Sequence, residues 1–505
     1  MFDFSNSRVA SIAHKEILCD NLTPLAVLGS LNAKVLLESA YNETGKDRFS
    51  IVILNEAFRI YKECGAHFLY TQGQKIPLYE ALEDYTPLDS ISLPPTHKAG
   101  FLESLALVRT LAPNPTDSIP AHLPLPLGGA GYIGYEFFAE IEEVTFKNPP
   151  LYNAPECAFI FGRDFLIFDH LFDRLHIVSV GYAHEREEHS TKQRIEHIAH
   201  SLATLVPQNG LDSMQKSDFE CVSATSQQEY ESMVEAIKKA IYAGNLLQCV
   251  PSQYMQIRSS LSPLQAYRNL RHQNPSPYMF YYNFDDFVIL GASPEIMLRL
   301  KTKQGKSFFT LRPIAGTRPR GESVAQDLEL ETELLNDEKE NAEHLMLLDL
   351  ARNDAGKVSV GGGVKVVARN KIERYSRVMH IVSEVQGELD SKHFSKADAF
   401  KSVFPAGTLS GAPKIEAIKT IESLESHARG VYGGAIGYFT YDEDMDFAIA
   451  IRTAVYQNGM YYMRSGAGVV QDSIPSAEYM ETQNKVRSQL DMFNIRQGIN
   501  DDFAH

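Results

Sequence analysis

Residues 433–470 read GGAIGYFTYDEDMDFAIAIRTAVYQNGMYYMRSGAGVV and contain three strand-like runs, at 433–441, 447–456 and 460–470. Their β-branched and aromatic residues are typical of β-strands. A fourth run of the same kind, FVILGAS, lies upstream at 287–293. The C-terminal part of the chain is therefore expected to contain a sheet.

Helical patterns alternate with these runs. The segments 229–244 and 327–356 have amphipathic spacing, and each ends at a glycine, a usual C-terminal stop of a helix. The second pattern has a candidate interruption near Asn336 and Asp337. Because strands and helices mix without a strict strand–helix–strand rhythm, the sequence predicts an α+β fold.

A polar stretch at 206–228, VPQNGLDSMQKSDFECVSATSQQ, is the predicted domain boundary. The length of 505 residues predicts two or three compact units. We predict an N-terminal domain at 1–210, a C-terminal domain at 225–491 and a tail at 492–505. In the first domain the predicted strands lie at 35–39, 49–54, 58–64 and, as a pair, 165–180, and the predicted helix lies at 184–205.

Composition excludes several classes of protein. The chain has 48 Lys and Arg against 64 Asp and Glu, for a net charge of −16, which argues against binding to a nucleic acid backbone. It has no export signal and no run of about 18 apolar residues, so we expect a soluble cytoplasmic protein. Its five cysteines are far apart and never form C-x-x-C, which indicates a reducing compartment.

Three short motifs resemble known sites without meeting their requirements. GAGYIG at 129–134 follows prolines where a dinucleotide site needs a central strand, so we interpret it as a glycine turn that leads into a helix. HEREEH at 184–189 has its histidines five residues apart, which puts them on different helix faces. GTLSGAPK at 407–414 lacks the Lys and hydroxyl residue of a phosphate loop.

Two pairs of glutamates are the best candidates for chemistry. Glu340 and Glu343 are three residues apart on one helix, and Glu478 and Glu481 have the same spacing much later. Each pair alone is expected to be a solvated helix surface. Two such pairs that face one pocket would instead hold Mg²⁺, which binds one or two carboxylates together with water and an anionic substrate.

Three glycine-dense loops accompany these acids. They are PIAGTRPRG at 313–321, FPAGTLSGAPK at 404–414 and RSGAGVVQDSIPS at 464–476. Glycines let backbone amides approach an anion closely. Each loop alone could be an ordinary turn, whereas their joint presence favours an anionic ligand.

The order of several longer motifs then indicates a family. GASPE, PIAGTRPRG, AEHLMLLDLARND, YSRVMHIVS, FPAGTLSGAPK, YGGAIGYF, IRTAV, GAGVVQDS and ETQNK follow one another between about 225 and 490. The chain thereby resembles the chorismate-utilising enzymes, and among them component I, the large subunit, of anthranilate synthase. The resemblance implies a two-sheet α/β sandwich with helices outside, against which an N-terminal regulatory domain packs.

The resemblance implies a metal-dependent amination of chorismate to anthranilate. Mg²⁺ is expected on Glu343 and Glu481 with Glu478, supported by Glu340. Glu295 is the expected acid that protonates the departing 4-hydroxyl, and His380 is expected to assist the elimination of pyruvate. The expected substrate-binding residues are Gly316, Thr317, Thr408, Tyr432, Arg452, Gly466, Ala467, Gly468 and Lys485.

Two positions discriminate between members of the family. Gln248 stands where isochorismate-forming relatives have a lysine that activates water, and a neutral amide cannot act as that base. Ala315 stands where many aminodeoxychorismate synthases have a lysine. Both positions favour ammonia as the nucleophile and anthranilate as the product, although the segment Asn245 to Pro251 departs from the family pattern.

Two alternatives stay open at this point. One is the large subunit of aminodeoxychorismate synthase, which belongs to folate synthesis. The other is a binding protein for chorismate or tryptophan without catalysis, against which the complete set of acids and His380 argues.

The resemblance also implies regulation and a partner. A tryptophan site is expected where LLES meets NPSPYM, formed by Leu37, Glu38, Ser39, Pro277, Tyr278 and Met279, so that tryptophan inhibits its own synthesis. None of the five cysteines lies in the glycine-rich elbow of a glutamine amidotransferase. A separate glutaminase subunit is therefore expected, in a heterotetramer of two large and two small subunits.

Overall fold

The structure is a computed structural model, and it describes residues 9–41, 45–46, 48–82, 100–183, 190–205, 218–375 and 378–493. Helices and antiparallel strands mix along the chain, which confirms the α+β class. Most of the predicted linker, the HEREEH motif and most of the predicted tail lie outside the described residues.

Among its described residues, the N-terminal half contains ten strands and four α-helices. The strands are β1 (Ser11–Leu18), β2 (Val35–Glu38), β3 (Ala40–Tyr41), β4 (Gly45–Lys46), β5 (Phe49–Glu63), β6 (Ala66–Thr71), β7 (Gln74–Pro77), β8 (Ala130–Ile133), β9 (Cys157–Asp169) and β10 (Arg174–Gly181). The helices are α1 (Pro24–Ser30), α2 (Leu78–Ala81), α3 (Phe101–Arg109) and α4 (Thr191–Ala203).

The C-terminal half contains fifteen strands and seven helices among its described residues. The strands are β11 (Phe219–Ala224), β12 (Gln248–Cys249), β13 (Ser252–Ser259), β14 (Tyr278–Asn283), β15 (Val288–Ser293), β16 (Ile296–Lys303), β17 (Lys306–Leu311), β18 (Ile314–Pro319), β19 (Lys365–Arg374), β20 (Val378–Glu388), β21 (Gly411–Ala412), β22 (Ala435–Phe439), β23 (Met445–Ile449), β24 (Thr453–Gln457) and β25 (Met460–Gly466). The helices are α5 (Gln227–Tyr242), α6 (Pro263–Gln273), α7 (Val324–Asn336), α8 (Glu338–Gly356), α9 (Lys396–Val403), α10 (Lys414–Leu424) and α11 (Pro475–Leu490).

Strand pairing follows two antiparallel paths that share the long strands β5 and β9. The first path runs β1-β10-β9-β5-β2-β14-β15-β24-β25-β13-β11. The second runs β7-β6-β5-β9-β8-β22-β23-β16-β17-β20, and both β18 and β19 pair with β20. Bulges near Asn55 and Glu56 separate the part of β5 that belongs to each path. Strands from both halves of the chain therefore pair within the same sheet, through β2 with β14 and β8 with β22.

The buried core crosses the predicted domain boundary as well. Phe159 on β9 contacts Phe447 on β23, with ring centroids 6.2 Å apart, and Phe447 contacts Phe400 on α9 at 5.5 Å. All three rings are fully buried. Packing of this kind holds the N-terminal strands against the elements that carry the glycine loops.

The two predicted C-terminal helices form, and each has a capped start. Ser226 and Glu229 form a reciprocal capping box at the start of α5, which ends at Tyr242. The predicted interruption of the second helix is confirmed, because Asp337 accepts hydrogen bonds from the Lys339 and Glu340 amides and caps α8. That cap places Glu340 and Glu343 in the first turns of α8.

Several local predictions were wrong in detail. The single strand predicted at 447–456 is two strands, β23 and β24. The two strands predicted at 49–54 and 58–64 are one bulged strand, β5, because the polar residues between them pair with β9. The helix predicted at 184–205 has its described part at Thr191–Ala203. Most of GAGYIG is strand β8, where a Cβ on Gly131 would lie 1.9 Å from the Ala158 carbonyl oxygen.

Candidate active site

One cavity of about 1310 Å³ brings together residues that are distant in sequence. Its walls come from α8, α11, β18, β20 and the loops that contain the dense glycines. The predicted residues that line it are Gln248, Glu295, Gly316, Thr317, Glu340, Glu343, His380, Thr408, Tyr432, Arg452, Gly466, Gly468, Glu478, Glu481 and Lys485. Of the predicted catalytic, metal and substrate residues, Ala467 alone is absent from this lining, and it is fully buried.

The four glutamates converge from two helices. Glu340 and Glu343 are on α8, and Glu478 and Glu481 are on α11, and all four line the cavity, although the Glu481 side chain is still 51% exposed. Burial and the nearby charges of Glu340 and Glu481 raise the pKa of Glu343 to about 7. The two pairs thus line one cavity, in which Glu478 is buried and Glu481 remains exposed.

The positive side chains near the four glutamates compensate their negative charge only in part. Lys485 Nζ lies 2.7 Å from Glu481 Oε1, and Arg318 Nη1 lies 3.3 Å from Glu340 Oε1. Glu343, in contrast, has its pKa raised mainly by burial and by neighbouring carboxylates. A hard divalent cation would relieve this repulsion, so the donor set fits Mg²⁺. No three His, Cys, Asp or Glu side chains in the described ranges are already arranged as a metal site.

Glu295 lies in the short connection between β15 and β16 and is buried. Burial raises the pKa of Glu295 to about 7, while a hydrogen bond from Thr408 Oγ1, at 2.9 Å, opposes this shift. Near neutral pH, a substantial fraction of this carboxyl group is protonated. It can therefore donate a proton inside the cavity.

His380 is oriented by the neighbouring strand. Pairing between β18 and β20 puts Thr317 opposite His380, and His380 Nδ1 lies 2.9 Å from the Gly316 carbonyl oxygen and 3.1 Å from Thr317 Oγ1. Because a carbonyl oxygen only accepts, we assign the proton to Nδ1, and Nε2 is then an acceptor. Burial lowers the pKa of His380 to about 4, so the neutral ring is available as a base.

Hydrogen bonds of Arg452 and Lys485 connect the cavity wall to helix α11, which carries Lys485. Arg452 Nη1 donates to the Lys485 carbonyl at 2.7 Å and to Ser488 Oγ at 2.8 Å. Lys485 Nζ donates to the Gly466 carbonyl at 2.8 Å. One nitrogen of the expected Arg452 fork is thus engaged with the helix, and the side chain lines the cavity.

Gln248 is held in a short strand at the cavity wall. It belongs to β12, which pairs with β21 in the loop after Thr408, so the unusual segment 245–251 still forms a paired strand. A Cβ on Gly468 would lie 2.7 Å from Gln248 Nε2. Glycine at 468 is therefore required for the amide to reach this position.

The predicted tryptophan residues meet by direct strand pairing. In the β2–β14 ladder, Glu38 is opposite Met279 and Leu37 is opposite Phe280. The Glu38 carboxylate is buried and accepts hydrogen bonds from Arg271, at 2.7 and 3.0 Å, and from the Tyr267 hydroxyl, at 3.1 Å. We call the region formed by Leu37, Glu38, Ser39, Pro277, Tyr278 and Met279 the β2–β14 junction.

The junction is adjacent to the cavity but separate from its lining. The cavity extends to Asn274, Pro275 and Ser276, immediately before Pro277. None of Leu37, Glu38, Ser39, Pro277, Tyr278 and Met279 lines it. The segment 274–277 thus connects the two regions along the chain.

The sequence analysis missed Arg464 at the cavity wall. Arg464 begins the RSGAG loop and is buried, and it bonds Glu425 at 2.8 Å. Its position directly before the glycines was the available signal, but its partner is 39 residues away. Nothing in the local pattern identified Glu425.

Comparison with known proteins places this cavity in a family. The profile of the chorismate binding enzymes matches residues 38–491, which include all cavity residues named above. The chain belongs to the chorismate binding enzymes.

Individual relatives show which members of this family the chain resembles. The chain is 40% identical to anthranilate synthase component 1 of Neisseria meningitidis serogroup B over 487 residues, which cover 94% of this chain and 93% of that protein. It is 39% identical to the protein of the same name from Pseudomonas aeruginosa, over 94% of this chain and 93% of that one. The predicted resemblance to anthranilate synthase component I is confirmed.

Solved structures agree with this placement. Anthranilate synthase component I of Streptococcus pneumoniae superposes with a TM-score of 0.74 at 35% identity, over 88% of this chain and 92% of that one. The isochorismate synthase MenF of Escherichia coli gives a TM-score of 0.66 at 16% identity, over 96% of this chain and 95% of that one, and thus shares the fold.

Proposed function

We propose that this chain aminates chorismate with ammonia and eliminates pyruvate to form anthranilate, the first committed step of tryptophan synthesis. The observation that carries the proposal is the convergence of four glutamates, Glu295 and His380 on one cavity, in a chain whose nearly full-length relatives are named anthranilate synthase component 1. The enzyme would be a lyase.

Glu343 and Glu481, with Glu478 and Glu340 beside them, are the proposed ligands of Mg²⁺. When bound, the cation supplies positive charge that fixes the ring carboxylate of chorismate and polarises the ring toward addition. Arg452 and Lys485, together with the backbone at Gly466 to Gly468, are the proposed contacts of the enolpyruvyl carboxylate. Tyr432, Gly316, Thr317 and Thr408 are the proposed contacts around the rest of the substrate.

The first step needs an acid. Ammonia adds to the ring carbon next to the one that bears the carboxylate, the ring double bonds shift, and the 4-hydroxyl leaves as water with a proton from Glu295. The raised pKa of Glu295 keeps part of this carboxyl protonated near neutral pH, and the Thr408 hydrogen bond orients it.

The second step needs a base. Removal of the proton on the aminated ring carbon makes the ring aromatic, while the enolpyruvyl group takes up a proton and departs as pyruvate. The neutral His380 ring, with Nδ1 fixed by Gly316, offers Nε2 as the acceptor for this proton.

Gln248 and Ala315 support ammonia as the nucleophile and anthranilate as the product. Neither side chain can act as a base or as a covalent nucleophile at the cavity wall. The free cysteines provide no amidotransferase nucleophile in an elbow, so we propose a separate glutaminase partner and a heterotetramer of two large and two small subunits.

Two architectural expectations stay proposals. The two pairing paths that share β5 and β9 support a two-sheet sandwich. The β2–β14 junction supports a regulatory role of the N-terminal region, in which tryptophan binds near Glu38, Ser39 and Met279. The cytoplasmic location stays a prediction, and none of the described helices is both long and apolar enough to span a membrane.

The experiment that tests the proposal mixes the purified chain with chorismate, Mg²⁺ and an ammonium salt and measures anthranilate fluorescence and pyruvate. We expect both products in equal amounts, and none when glutamine replaces ammonium. Isochorismate as the main product would refute the interpretation of Gln248. Aminodeoxychorismate would identify the chain with the folate enzyme instead.

A further inference from the structure

A buried charge cluster lies directly behind the cavity wall. It consists of Glu425, Arg429 and Arg464, which are 6%, 2% and 4% exposed, and we call it the Glu425 cluster. Arg429 Nη2 lies 2.6 Å from Glu425 Oε1, and Arg464 Nη1 lies 2.8 Å from Glu425 Oε2. Ser252 donates from both its amide and its hydroxyl to the same carboxylate, at 2.8 and 2.9 Å.

The two guanidinium groups also hold backbone carbonyls from separate segments. Arg429 Nη1 donates to the Leu409 carbonyl at 2.6 Å, and Arg429 Nη2 donates to the Val250 carbonyl at 2.7 Å. Leu409 follows Thr408 in sequence, and Val250 comes two residues after Gln248. A single side chain thus fixes two cavity walls that have no covalent connection nearby.

Arg464 holds a third segment. Its Nη2 donates to the carbonyls of His427 and Ala428, at 2.7 and 3.0 Å, in the loop that leads to Tyr432. The next residues after Arg464 form the loop with Gly466. The Arg429 guanidinium also lies over the Tyr432 ring, 5.6 Å from its centroid, and over the Tyr135 ring at 4.7 Å.

Stability alone is a weak explanation for this arrangement. Buried ion pairs rarely stabilise a fold more than well-packed apolar residues of similar volume, because desolvation offsets the attraction. Here the carboxylate is nearly saturated with donors, and the guanidinium groups reach carbonyls beside Thr408 and Gln248. Neither Glu425 nor Arg429 lines the cavity, whereas Val250, Leu409, Tyr432 and Arg464 do.

We propose that Arg429, fixed by Glu425, is a positioning residue that sets the distance between the Gln248, Thr408 and Tyr432 walls of the substrate cavity. This inference rests on the proposed function. A substitution that removes the planar guanidinium group of Arg429 but keeps its charge is expected to weaken substrate binding more than it slows the chemical step.

The test compares Arg429→Lys with wild type, with kcat and KM measured separately for chorismate and for ammonia. Lysine keeps the charge but cannot donate to both carbonyls and the carboxylate together. We expect KM for chorismate to rise by about tenfold or more, since charge-assisted hydrogen bonds typically contribute that much. The milder Ser252→Ala, which removes one donor to Glu425, should shift KM in the same direction by less.

Arg59→Lys is the matched control. Arg59 is 1% exposed, bonds Glu56 at 2.6 Å and the Tyr61 hydroxyl at 3.1 Å, and lies 5.2 Å from the Tyr70 ring centroid, but it does not line the cavity. The Arg59→Lys variant should lower the melting temperature, as Arg429→Lys does, and leave the KM for chorismate unchanged.

The outcomes separate the two proposals. Wild-type protein without anthranilate formation would reject the proposed function and this inference with it. Suppose instead that the wild-type protein is active and that Arg429→Lys and Ser252→Ala both keep the KM for chorismate within twofold of wild type. This result would reject the positioning role alone. If Arg429→Lys does not fold, Ser252→Ala decides the question by itself. An equal rise of KM in Arg59→Lys would also overturn the proposal.

Discussion

Two carboxylates in this molecule, the buried Glu38 and the partly buried Glu343, have opposite surroundings. Glu38 at the β2–β14 junction accepts hydrogen bonds from Arg271 and Tyr267, so its charge is compensated within the fold. Glu343 in the cavity is surrounded by other carboxylates, and burial and repulsion raise its pKa. The comparison shows that the Glu38 charge is compensated by neighbouring side chains, whereas the cavity is electrostatically suited to an additional cation.

The largest expected effect concerns the glutamates of the cavity, whose negative charges are only partly compensated. Glu343→Gln and Glu481→Gln should each lower turnover by on the order of 100-fold or more, because a metal held by few carboxylates loses charge and geometry together. Calorimetric titration with Mg²⁺ and chorismate, together with anthranilate fluorescence, measures both losses. Glu338→Gln, an exposed acid in the first turn of α8, is the control and should behave as wild type. Normal Mg²⁺-dependent chorismate binding by both variants would show that the ligands are wrong.

Glu295→Gln should separate binding from chemistry. We expect retained Mg²⁺ and chorismate binding with a rate loss of about 10²- to 10⁴-fold, the usual contribution of a general acid. Binding by calorimetry and rate by product formation give the two readouts. Loss of binding in parallel with rate would make Glu295 a substrate contact instead.

The pH dependence sharpens the same prediction. The Glu295 acid is present below a pKa of about 7 and is lost as pH rises above it, whereas free ammonia increases with pH. Above pH 7 these two effects nearly cancel, so the rate at fixed total ammonium should be nearly flat between about pH 7 and pH 9, while the rate divided by free ammonia should fall. A constant ratio across pH 6 to 9 would contradict the role of Glu295.

His380→Ala should let the aminated intermediate accumulate. Without the base, the first step still proceeds and the elimination slows, by about 10²-fold or more. Chromatography of the quenched reaction detects the intermediate. Loss of all products with no intermediate would remove His380 from the second step.

The comparison also predicts stability changes of opposite sign. Glu343→Gln should raise the free energy of unfolding of the metal-free protein at pH 8 by about 1–3 kcal/mol, because the folded pKa lies above the ordinary value. This gain should disappear as pH falls from above 7 toward 4.5. Glu38→Gln should lower the free energy of unfolding by about 2 kcal/mol, since it leaves Arg271 without its partner. Denaturant titrations measure both, and equal signs would contradict the comparison.

The smallest expected effect is the coupling between the two regions. If tryptophan binds at the junction, Ser39→Phe and Met279→Thr should keep ammonia-dependent activity and resist tryptophan. A coupling of about 1–3 kcal/mol would change affinities 5- to 150-fold, and chorismate must weaken tryptophan binding by the same factor. Asn274, which donates to the Ser488 carbonyl at 2.9 Å, links the junction segment to the helix that Arg452 holds.

Tryptophan emission provides the measurement, because the chain contains no tryptophan of its own. Titration of the free amino acid against the protein, with and without saturating chorismate, gives the coupling directly. Inhibition of both variants at wild-type concentrations would refute the site. Unchanged tryptophan binding with chorismate would refute the coupling.

Local patterns in the sequence were sufficient for the α+β class, and the resemblance carried by the motif order named residues that the structure places around one cavity. Helix periodicity with its closing glycines predicted α5, and Asn336 with Asp337 marked the break between α7 and α8, because these signals lie within a few residues. The motif order identified the cavity residues and their family. Strand bounds were less accurate, since β5 continues through polar residues that only its pairing with β9 explains.

The sequence by itself determined which chemical groups the chain carries and how they are spaced along single helices and loops. The tertiary structure alone decided that α8 and α11 face one cavity, that burial raises the pKa of Glu295 and Glu343, and that Glu425 joins Arg429 to Arg464 behind the wall. The physical reason is that desolvation and Coulomb interactions depend on which groups are brought within a few ångströms. Those contacts join residues tens to hundreds of positions apart, which no local pattern records.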